Sequence, residues 1–457
     1  MNKDRFMNRY LTRVKNKVFY IGAVLTLCAP FSLNADDGYS PEALKLANVD
    51  PSMHLQQGSS QTEAQKINSV IYKATGFGNT FMIVTGEGNV IIDTSLQAMA
   101  PKHKSLLSAV NDDAIHSIII THGHPDHIGG VPLWREAETK VIAQNNMVEF
   151  LKYQKRLKNL FIKRNSAQFG FDLNVPTTSP SLKNEISSNN ILPNTLFEKN
   201  LNFTLGNETF EIMHTPAETY DALTVWMPKY KAAFVGDLFY RSFPNIYTLR
   251  GTKPRWALDY IDSINRVLAL GPEILLPSHG EPILGNDNIN REMIRYRDAI
   301  QYVHDETING MNEGKDVYSL MRSIKLPKEL DVGEAYGWVS WSVRGIYEGY
   351  MGWFDGNPVS MYSHSPKSIY SDLINLTDDI QKVINLAEDH LVKGNSIKAL
   401  LLIEAAMEAD PENISIIQMQ LKILTILRKE SGNLNESGWL NHGIKQAQQK
   451  LKSINSN

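Results

Sequence analysis

The densest group of side chains capable of metal chemistry lies in residues 121–130, which read Thr-His-Gly-His-Pro-Asp-His-Ile-Gly-Gly. Three imidazoles and one carboxylate fall within six positions, at His122, His124, Asp126 and His127. His122 and His124 are two residues apart, so they lie on the same side of an extended chain. Neutral imidazole and carboxylate are ligands of zinc and related metals. The stretch therefore predicts a metal site, with enough ligands at one strand end for two ions.

Two ions need more protein ligands than this stretch offers, and three further candidates follow apolar segments that we predict to be strands. They are Glu218 in His-Thr-Pro-Ala-Glu-Thr, Asp237 in Phe-Val-Gly-Asp and His279 in Pro-Ser-His-Gly. Open α/β sheets collect their chemistry where strands end. Taken singly, a Glu or Asp in a loop is just as typical of a solvated charge or a helix cap.

In order along the chain, these motifs resemble the metallo-β-lactamase fold superfamily over residues 67–285. The resemblance implies an αββα sandwich with two metal ions at one edge. His122, His124, Asp126 and His127 match the signature of the superfamily, Asp237 matches its bridging Asp, and His279 matches its last His ligand. Asp93, at the end of an apolar strand, matches the buried Asp that supports the ligands from behind.

The resemblance also implies how the ligands divide between the ions. His122, His124 and Glu218 are expected to hold one ion, and Asp126, His127 and His279 the other, with Asp237 joining them. Two divalent ions per chain are expected, zinc first, with manganese or iron as alternatives.

Glu218 stands where most of the superfamily carries His, and in this it resembles the alkylsulfatase branch. Three later segments resemble the same branch, namely residues 245–251, 297–305 and 341–358. The branch often places Glu rather than Asp at the bridging position, so Asp237 is a departure. Its members carry a helical dimerisation domain, which fits residues 288–430 and implies a homodimer.

The resemblance implies a hydrolase that uses a metal-activated water to release sulfate and an alcohol from alkyl sulfate esters. Asp126, Arg250 and Tyr336 are the expected catalytic residues, and Arg250, Asn245, Tyr247 and Tyr336 are expected to bind the substrate. A planar guanidinium such as that of Arg250 can chelate two sulfate oxygens. By residue type alone, Arg250 could equally form a structural ion pair, and Tyr336 could be a core aromatic.

Two other hypotheses keep the metal motif but assign the protein a different function. One is hydrolysis of another ester, such as a lactone, a β-lactam or a thioester. The other is a non-catalytic dimeric scaffold with a vestigial metal site. Larger alkylsulfatases add a C-terminal sterol-carrier-like domain, which we do not expect here, and this disfavours long-chain substrates. Both primary and secondary sulfates, and cleavage of either the C–O or the S–O bond, fit the sequence.

The N-terminus predicts a secretory signal peptide over residues 1–35. Six basic residues precede an apolar run at residues 18–29, and Ser-Leu-Asn-Ala follows before a plausible cleavage point after Ala35. The run is short for a membrane span, so an uncleaved anchor is the less favoured alternative. We therefore expect a periplasmic or secreted protein without a stable membrane anchor.

Composition argues against a thiolate metal site and against nucleic acid as a partner. Cys28, the only cysteine, lies in the signal segment, so no thiolate ligand is expected in the mature chain. Without residues 1–35 the chain has 40 basic and 48 acidic residues, a net charge of about −8. This charge disfavours nucleic acid as a partner.

Three regions are expected to follow the signal peptide. Residues 36–287 should form the α/β catalytic domain, with a long loop at residues 165–200. Residues 288–430 should form the helical dimerisation domain, and residues 431–457 a helical tail. Residues 385–425 resemble one tetratricopeptide-like hairpin, although an ordinary helical pair fits them as well.

Overall fold

The structure is a computed structural model that describes residues 57–170, 191–377 and 379–456. The expected signal peptide and Cys28 lie outside these ranges. Within them, no helix is both long enough and apolar enough to cross a membrane.

The first sheet has seven strands in the order β1 to β7. Its first four strands form an antiparallel meander, and β4 to β7 run parallel. The strands are β1 Gln65–Lys66, β2 Ile71–Ala74, β3 Thr80–Val84, β4 Asn89–Ile92, β5 Ile115–Ile119, β6 Lys140–Gln144 and β7 Thr195–Phe197. Strands β4 and β5 are rich in isoleucine and almost wholly buried, as expected for parallel strands covered on both faces.

The second sheet has six strands in the order β13-β12-β11-β10-β9-β8. Only β11 and β12 pair in parallel, and the other neighbours are antiparallel. The strands are β8 Asn200–Leu205, β9 Glu208–His214, β10 Leu223–Met227, β11 Ala232–Gly236, β12 Ile274–Pro277 and β13 Ile283–Leu284.

The two sheets pack face to face, and helices cover their outer faces. Phe81 of β3 meets Phe234 of β11 between the sheets, with ring centroids 5.2 Å apart. The helices of this part are α1 Ala100–Ser108, α2 Pro125–Ile128, α3 Val131–Trp134, α4 Asn146–Arg156, α5 Lys158–Phe169 and α6 Ala257–Ala269. The expected αββα sandwich is thus confirmed.

The chain beyond β13 is helical, as expected. Its helices are α7 Asn286–Asn312, α8 Val317–Ser323, α9 Val339–Met351, α10 Tyr370–Asn375, α11 Ile380–Val392, α12 Ser396–Ala409, α13 Ile414–Glu430 and α14 Leu434–Ser456. Helices α10 to α13 share a separate apolar core. Helix α7 instead packs on the outer face of the second sheet, where Tyr296 lies against Phe239.

The expected loop at residues 165–200 is wrong at both ends. Helix α5 continues to Phe169, and β7 occupies Thr195–Phe197; residues 171–190 lie outside the described ranges. The sequence Asn-Ser in this helix disfavours helix in isolation. Burial of Phe161, Ala167 and Gln168 overrides that preference, and Gly170 ends the helix at a φ of +72°.

Candidate metal centre

One buried carboxylate, that of Asp93, holds together the loops that carry the candidate ligands. Asp93 follows β4 with a φ of +55° and is fully buried. It accepts hydrogen bonds from the backbone N–H of Thr121 at 2.8 Å and from the Thr121 hydroxyl at 2.7 Å. Ser278 donates a third at 2.8 Å, and His127 donates from Nδ1 at 2.7 Å. Asp93 therefore joins the ends of β4, β5 and β12.

Six of the seven expected ligands form two groups of three. The first group contains His122, His124 and Asp237, and the second contains Asp126, His127 and His279. The carboxylate of Asp237 reaches both groups. Its Oδ2 lies 3.7 Å from Nε2 of His122 and 3.3 Å from Nε2 of His279, and its Oδ1 lies 3.2 Å from the same His279 atom. The Asp237 carboxylate thus stands between the groups, as a bridging ligand must.

The proton positions on two imidazoles suit metal binding. His127 Nδ1 faces the Asp93 carboxylate, which accepts its proton, and this leaves Nε2 free as a ligand. His279 Nδ1 donates to the carbonyl of Phe77, which likewise frees its Nε2. Both Nε2 atoms point at the carboxylates of Asp126 and Asp237, at 3.2–3.5 Å.

The spacing and chemistry of these atoms fit divalent metal ions. Ligands at 2.0–2.1 Å from a tetrahedral zinc stand roughly 3.3 Å from each other, close to the separations above. His127 Nε2 and Asp237 Oδ1 are buried without a hydrogen-bond partner. Buried polar atoms are rarely left unpaired, so a cation shared by these atoms accounts for the arrangement.

The electrostatics of the site depend on its carboxylates. Burial lowers the pKa of imidazoles, but Asp237 and Asp126 raise the pKa of His127 well above its ordinary value. Against the same effect of burial, Asp237 raises the pKa of His279 to about 9. His122, farther from these carboxylates, has a pKa lowered to about 3 by burial and by His127. The second group thus concentrates negative charge that a divalent cation can neutralise.

Glu218 lies beside the first group, but an arginine occupies one of its oxygens. Oε1 accepts from Arg255 Nη1 at 2.6 Å, while Oε2 is buried without a hydrogen-bond partner. Burial raises the pKa of Glu218, and Asp237 adds to that effect while Arg255 opposes it. Its role as a ligand remains a prediction, for which Oε2 is the available atom.

Two of the four expected substrate-binding residues, Arg250 and Tyr336, lie close to the candidate metal ligands. Arg250 is buried, with Nη2 3.2 Å from Nε2 of His124 and with Nε unpartnered. Burial raises the pKa of Tyr336, and the nearby Glu218 adds to that effect, so the phenol keeps its proton. Asn245 is fully buried, and neither polar atom of its side chain has a hydrogen-bond partner. Tyr247 instead packs against Gly345 of α9.

The contact between Arg250 and His124 has a chemical consequence. An imidazole that accepts a hydrogen bond at Nε2 is protonated at Nδ1 if it is neutral. Nδ1 is the atom of His124 that faces His122 Nε2, at 2.8 Å. Coordination through Nδ1 therefore conflicts with this contact, and a metal there would release the Arg250 guanidinium toward other acceptors.

Sequence reasoning missed two charged residues of the site. Arg255 pairs with Glu218 and also donates to the carbonyl of Asn245 at 2.7 Å, and its Nη2 is unpartnered. Asp221 accepts from the backbone N–H of Gly123 at 2.9 Å, between two ligands, and burial raises its pKa to about 6. Asp221 lies three residues after Glu218, and that proximity was the available signal.

Two family models match the chain. The metallo-beta-lactamase superfamily matches residues 74–279, and the alkyl sulfatase dimerisation family matches residues 318–450. The second match extends past residue 430, where the sequence suggested a boundary.

Curated relatives agree with these matches. A linear primary-alkylsulfatase of Pseudomonas sp. is 29% identical over 379 residues, which are 78% of this chain and 72% of that protein. The alkyl/aryl-sulfatase BDS1 of Saccharomyces cerevisiae is 25% identical over 381 residues, 76% of this chain. The chain spans only 58% of that second relative.

Among solved structures, the stereoselective inverting sec-alkylsulfatase Pisa1 from Pseudomonas sp. shares the fold with a TM-score of 0.77. It is 20% identical, and the match covers 93% of this chain and 69% of that chain. The match to the metallo-beta-lactamase superfamily agrees with the αββα fold and covers the part of the chain that holds both groups of candidate ligands. It is followed along the chain by the match to the alkyl sulfatase dimerisation family.

The hydrogen bonds of Asp93 generate a first prediction, for Asp93→Asn. An amide at this position presents a donor where the carboxylate accepts, so the orientation of His127 is lost. Removal of such a supporting group typically weakens metal binding by roughly 10–100-fold. Zinc affinity should fall by this factor in competition with a chromophoric chelator. Asp112→Asn, at an exposed position, is the control, and equal affinities for both variants would contradict the role of Asp93.

Glu218 generates a second prediction. If Oε2 is a ligand, Glu218→Ala should lower the metal content of the purified protein and abolish its turnover. Glu208 is the matched control, because it is equally buried and pairs with Lys229 at 2.8 Å, outside the ligand groups. Glu208→Ala should keep its metals, as measured by elemental analysis. Two retained metals and full activity in Glu218→Ala would leave Glu218 as a partner of Arg255 alone.

Proposed function

We propose that this protein is a dinuclear metal-dependent hydrolase of alkyl sulfate esters, which releases inorganic sulfate and an alcohol. The observation that carries the proposal is a buried arginine, Arg250, beside a ligand of the first metal group. The metallo-beta-lactamase and alkyl sulfatase dimerisation matches, and relatives named as alkylsulfatases, support the same chemistry.

His122, His124 and Glu218 would hold one ion, Asp126, His127 and His279 would hold the other, and Asp237 would serve both. We propose zinc, because the donors are nitrogen and oxygen atoms at spacings that suit it. When bound, two such ions supply an activated water and neutralise a developing negative charge.

The residues of the chain would supply recognition of the anion. Arg250 and Arg255 are buried near each other, and each has a nitrogen without a hydrogen-bond partner, Nε and Nη2 respectively. Buried guanidinium groups left with free donors suit a ligand with several anionic oxygens, such as sulfate. Tyr336, which keeps its phenolic proton, and the Asn245 amide add neutral donors.

Asp126 would hold its ion as an ionised carboxylate. Burial raises its pKa, but His127 and His279 lower it to about 2. The ion that Asp126 would hold and the guanidinium groups of Arg250 and Arg255 would together give a site in which an anion meets cations on more than one side. A neutral ester would use fewer of these contacts, because it carries no formal charge.

We also propose a homodimer and export from the cytoplasm. The dimerisation-family match and large exposed apolar side chains on the helical part support the dimer. Examples are Trp353, Leu376 and Val392, which are 76%, 79% and 80% exposed. A periplasmic or secreted location is supported by the basic, apolar and small-residue order of residues 1–35.

The third prediction tests the reaction and its dependence on Arg250. Metal-loaded protein should release sulfate from primary or secondary alkyl sulfates faster than it opens lactones, β-lactams or thioesters. Arg250→Ala should lower kcat/KM for the sulfate ester by roughly ten- to a hundred-fold, as expected for loss of a charge-assisted pair. Arg250→Lys should recover only part, because an ammonium cannot chelate two oxygens.

Metal content should not change in these variants, and Arg291→Ala, at an exposed arginine, should behave as the unsubstituted protein. Preferred turnover of a neutral ester, or an equal loss on charged and neutral substrates, would replace the sulfatase proposal with a hydrolase of another ester.

The fourth prediction concerns assembly. Light scattering at micromolar concentration should give twice the mass of the chain, and Val392→Glu should shift the protein toward monomer. A charge placed in an apolar interface is destabilising because it must be desolvated. Lys393→Glu, on the neighbouring position, is the control for added charge. A monomer in the unsubstituted protein would refute the proposed dimer.

A further inference from the structure

Residues 431–439, which comprise the turn before α14 and the first residues of that helix, contact the two chain segments that carry the proposed anion-binding side chains. This segment is more than 90 residues from either of them in sequence. It is largely buried, with Asn435 fully inaccessible and Asn433 only 4% exposed.

The first contact is to the segment that carries Tyr336. The Asn433 amide donates to the carbonyl of Glu334 at 2.7 Å and to that of Tyr336 at 3.0 Å. The Asn435 amide donates to the same Tyr336 carbonyl at 2.9 Å. The backbone N–H of Leu434 donates to the carbonyl of Ala335 at 2.8 Å. The backbone around Tyr336 is thus hydrogen-bonded along its length.

Tyr336 is also held from the catalytic domain. Its backbone N–H donates to the hydroxyl of Ser242 at 3.0 Å. Its ring meets that of Tyr240 edge to face at 5.5 Å, and Tyr240 in turn faces His279 at 6.5 Å. The position of the phenol therefore depends on two surfaces, one of which is the segment 431–439.

The second contact reaches Arg250 through α5. Gln168 is fully buried, and its Oε1 accepts from the backbone N–H of Arg250 at 2.8 Å and from the Trp439 indole at 3.4 Å. The carbonyl of Arg250 accepts from Arg164 Nε at 2.6 Å. The Arg164 guanidinium lies 5.2 Å above the Trp439 ring.

Gly438 allows α14 to approach α5 closely. A Cβ at that position would lie 1.7 Å from the carbonyl oxygen of Gln168. Helix α14 thus packs on α5 without space for a larger residue at Gly438. Trp439, the next residue, contacts Gln168 and Arg164, the two side chains that hydrogen-bond to the backbone of Arg250.

We infer that residues 433–439 are a positioning element that sets the geometry of the anion pocket from the dimerisation domain. Asn433 and Asn435 set Tyr336, and Trp439 sets Arg250 through Gln168 and Arg164. None of the three touches a metal ligand. The inference rests on the proposed function, since it assigns Tyr336 and Arg250 to the sulfate group.

Three variants test the two contacts separately. Asn435→Ala removes one donor to Tyr336. Asn433→Ser removes the amide donors and keeps an oxygen that can cap α14, where Asn433 Oδ1 accepts from Glu436. Trp439→Phe removes the indole N–H and keeps an aromatic ring beneath Arg164. Asn455→Ala, at an exposed position of the same helix, is the matched control.

The variants are compared as full-length, metal-loaded protein. The measurements are kcat and KM for an alkyl sulfate, the dissociation constant of inorganic sulfate by calorimetry, and metal content. Each of the three variants should raise KM and weaken sulfate binding by roughly three- to tenfold, as expected for loss of one or two hydrogen bonds. Metal content should stay constant, and Asn455→Ala should show neither change.

A segment that only stabilises the fold would lower kcat through loss of active protein, with KM and sulfate affinity unchanged. That result, or loss of metal in all three variants, would overturn the inference. The proposed function fails separately, if the unsubstituted protein hydrolyses no sulfate ester. In that case the sulfate dissociation constants still decide the positioning role.

Discussion

The buried carboxylate of Asp93 is the constraint on which the site depends. Its four donors come from the ends of two further strands and from a ligand, His127. Loss of the Asp93 carboxylate would leave these buried donors unsatisfied, at a cost of about 1–3 kcal/mol each. The alignment of the loops around Asp93 is therefore coupled to the stability of the sandwich, and the hydrogen bond from His127 to Asp93 fixes the orientation of that candidate ligand.

Several buried charges lie close together near Asp93. The carboxylates of Asp126 and Asp237 face imidazoles. The guanidinium of Arg250 contacts His124, and that of Arg255 pairs with Glu218. Burying so many charges is favourable only if each is paired. Among the buried polar atoms without partners in the described residues are Oδ1 of Asp237, Nε of Arg250 and Nη2 of Arg255. The site thus keeps an acceptor atom that could coordinate a cation and donor groups that could bind an anion.

The two parts of the chain are not independent. Helix α7 belongs to the core of the second sheet, although it begins the helical region, because its apolar face packs on β11 and β12. Tyr336 reaches the site from the part that matches the dimerisation family, and α14 returns to pack on α5. A site shared in this way links the geometry of its pocket to the packing of the helical domain.

The sequence alone predicted the His-rich motif and the candidates Asp237 and His279, because each follows an apolar strand and strand ends meet at one edge. Through resemblance it also predicted the sandwich, Asp93, Arg250 and Tyr336. Tertiary structure decided the rest. The helix through Gln168, the pairing of Arg255 with Glu218, and the contact from Trp439 to Gln168, 271 residues apart, leave no periodic signal in the sequence. Such contacts arise only when separate elements pack, since burial overrides local preference and distant side chains become each other's partners.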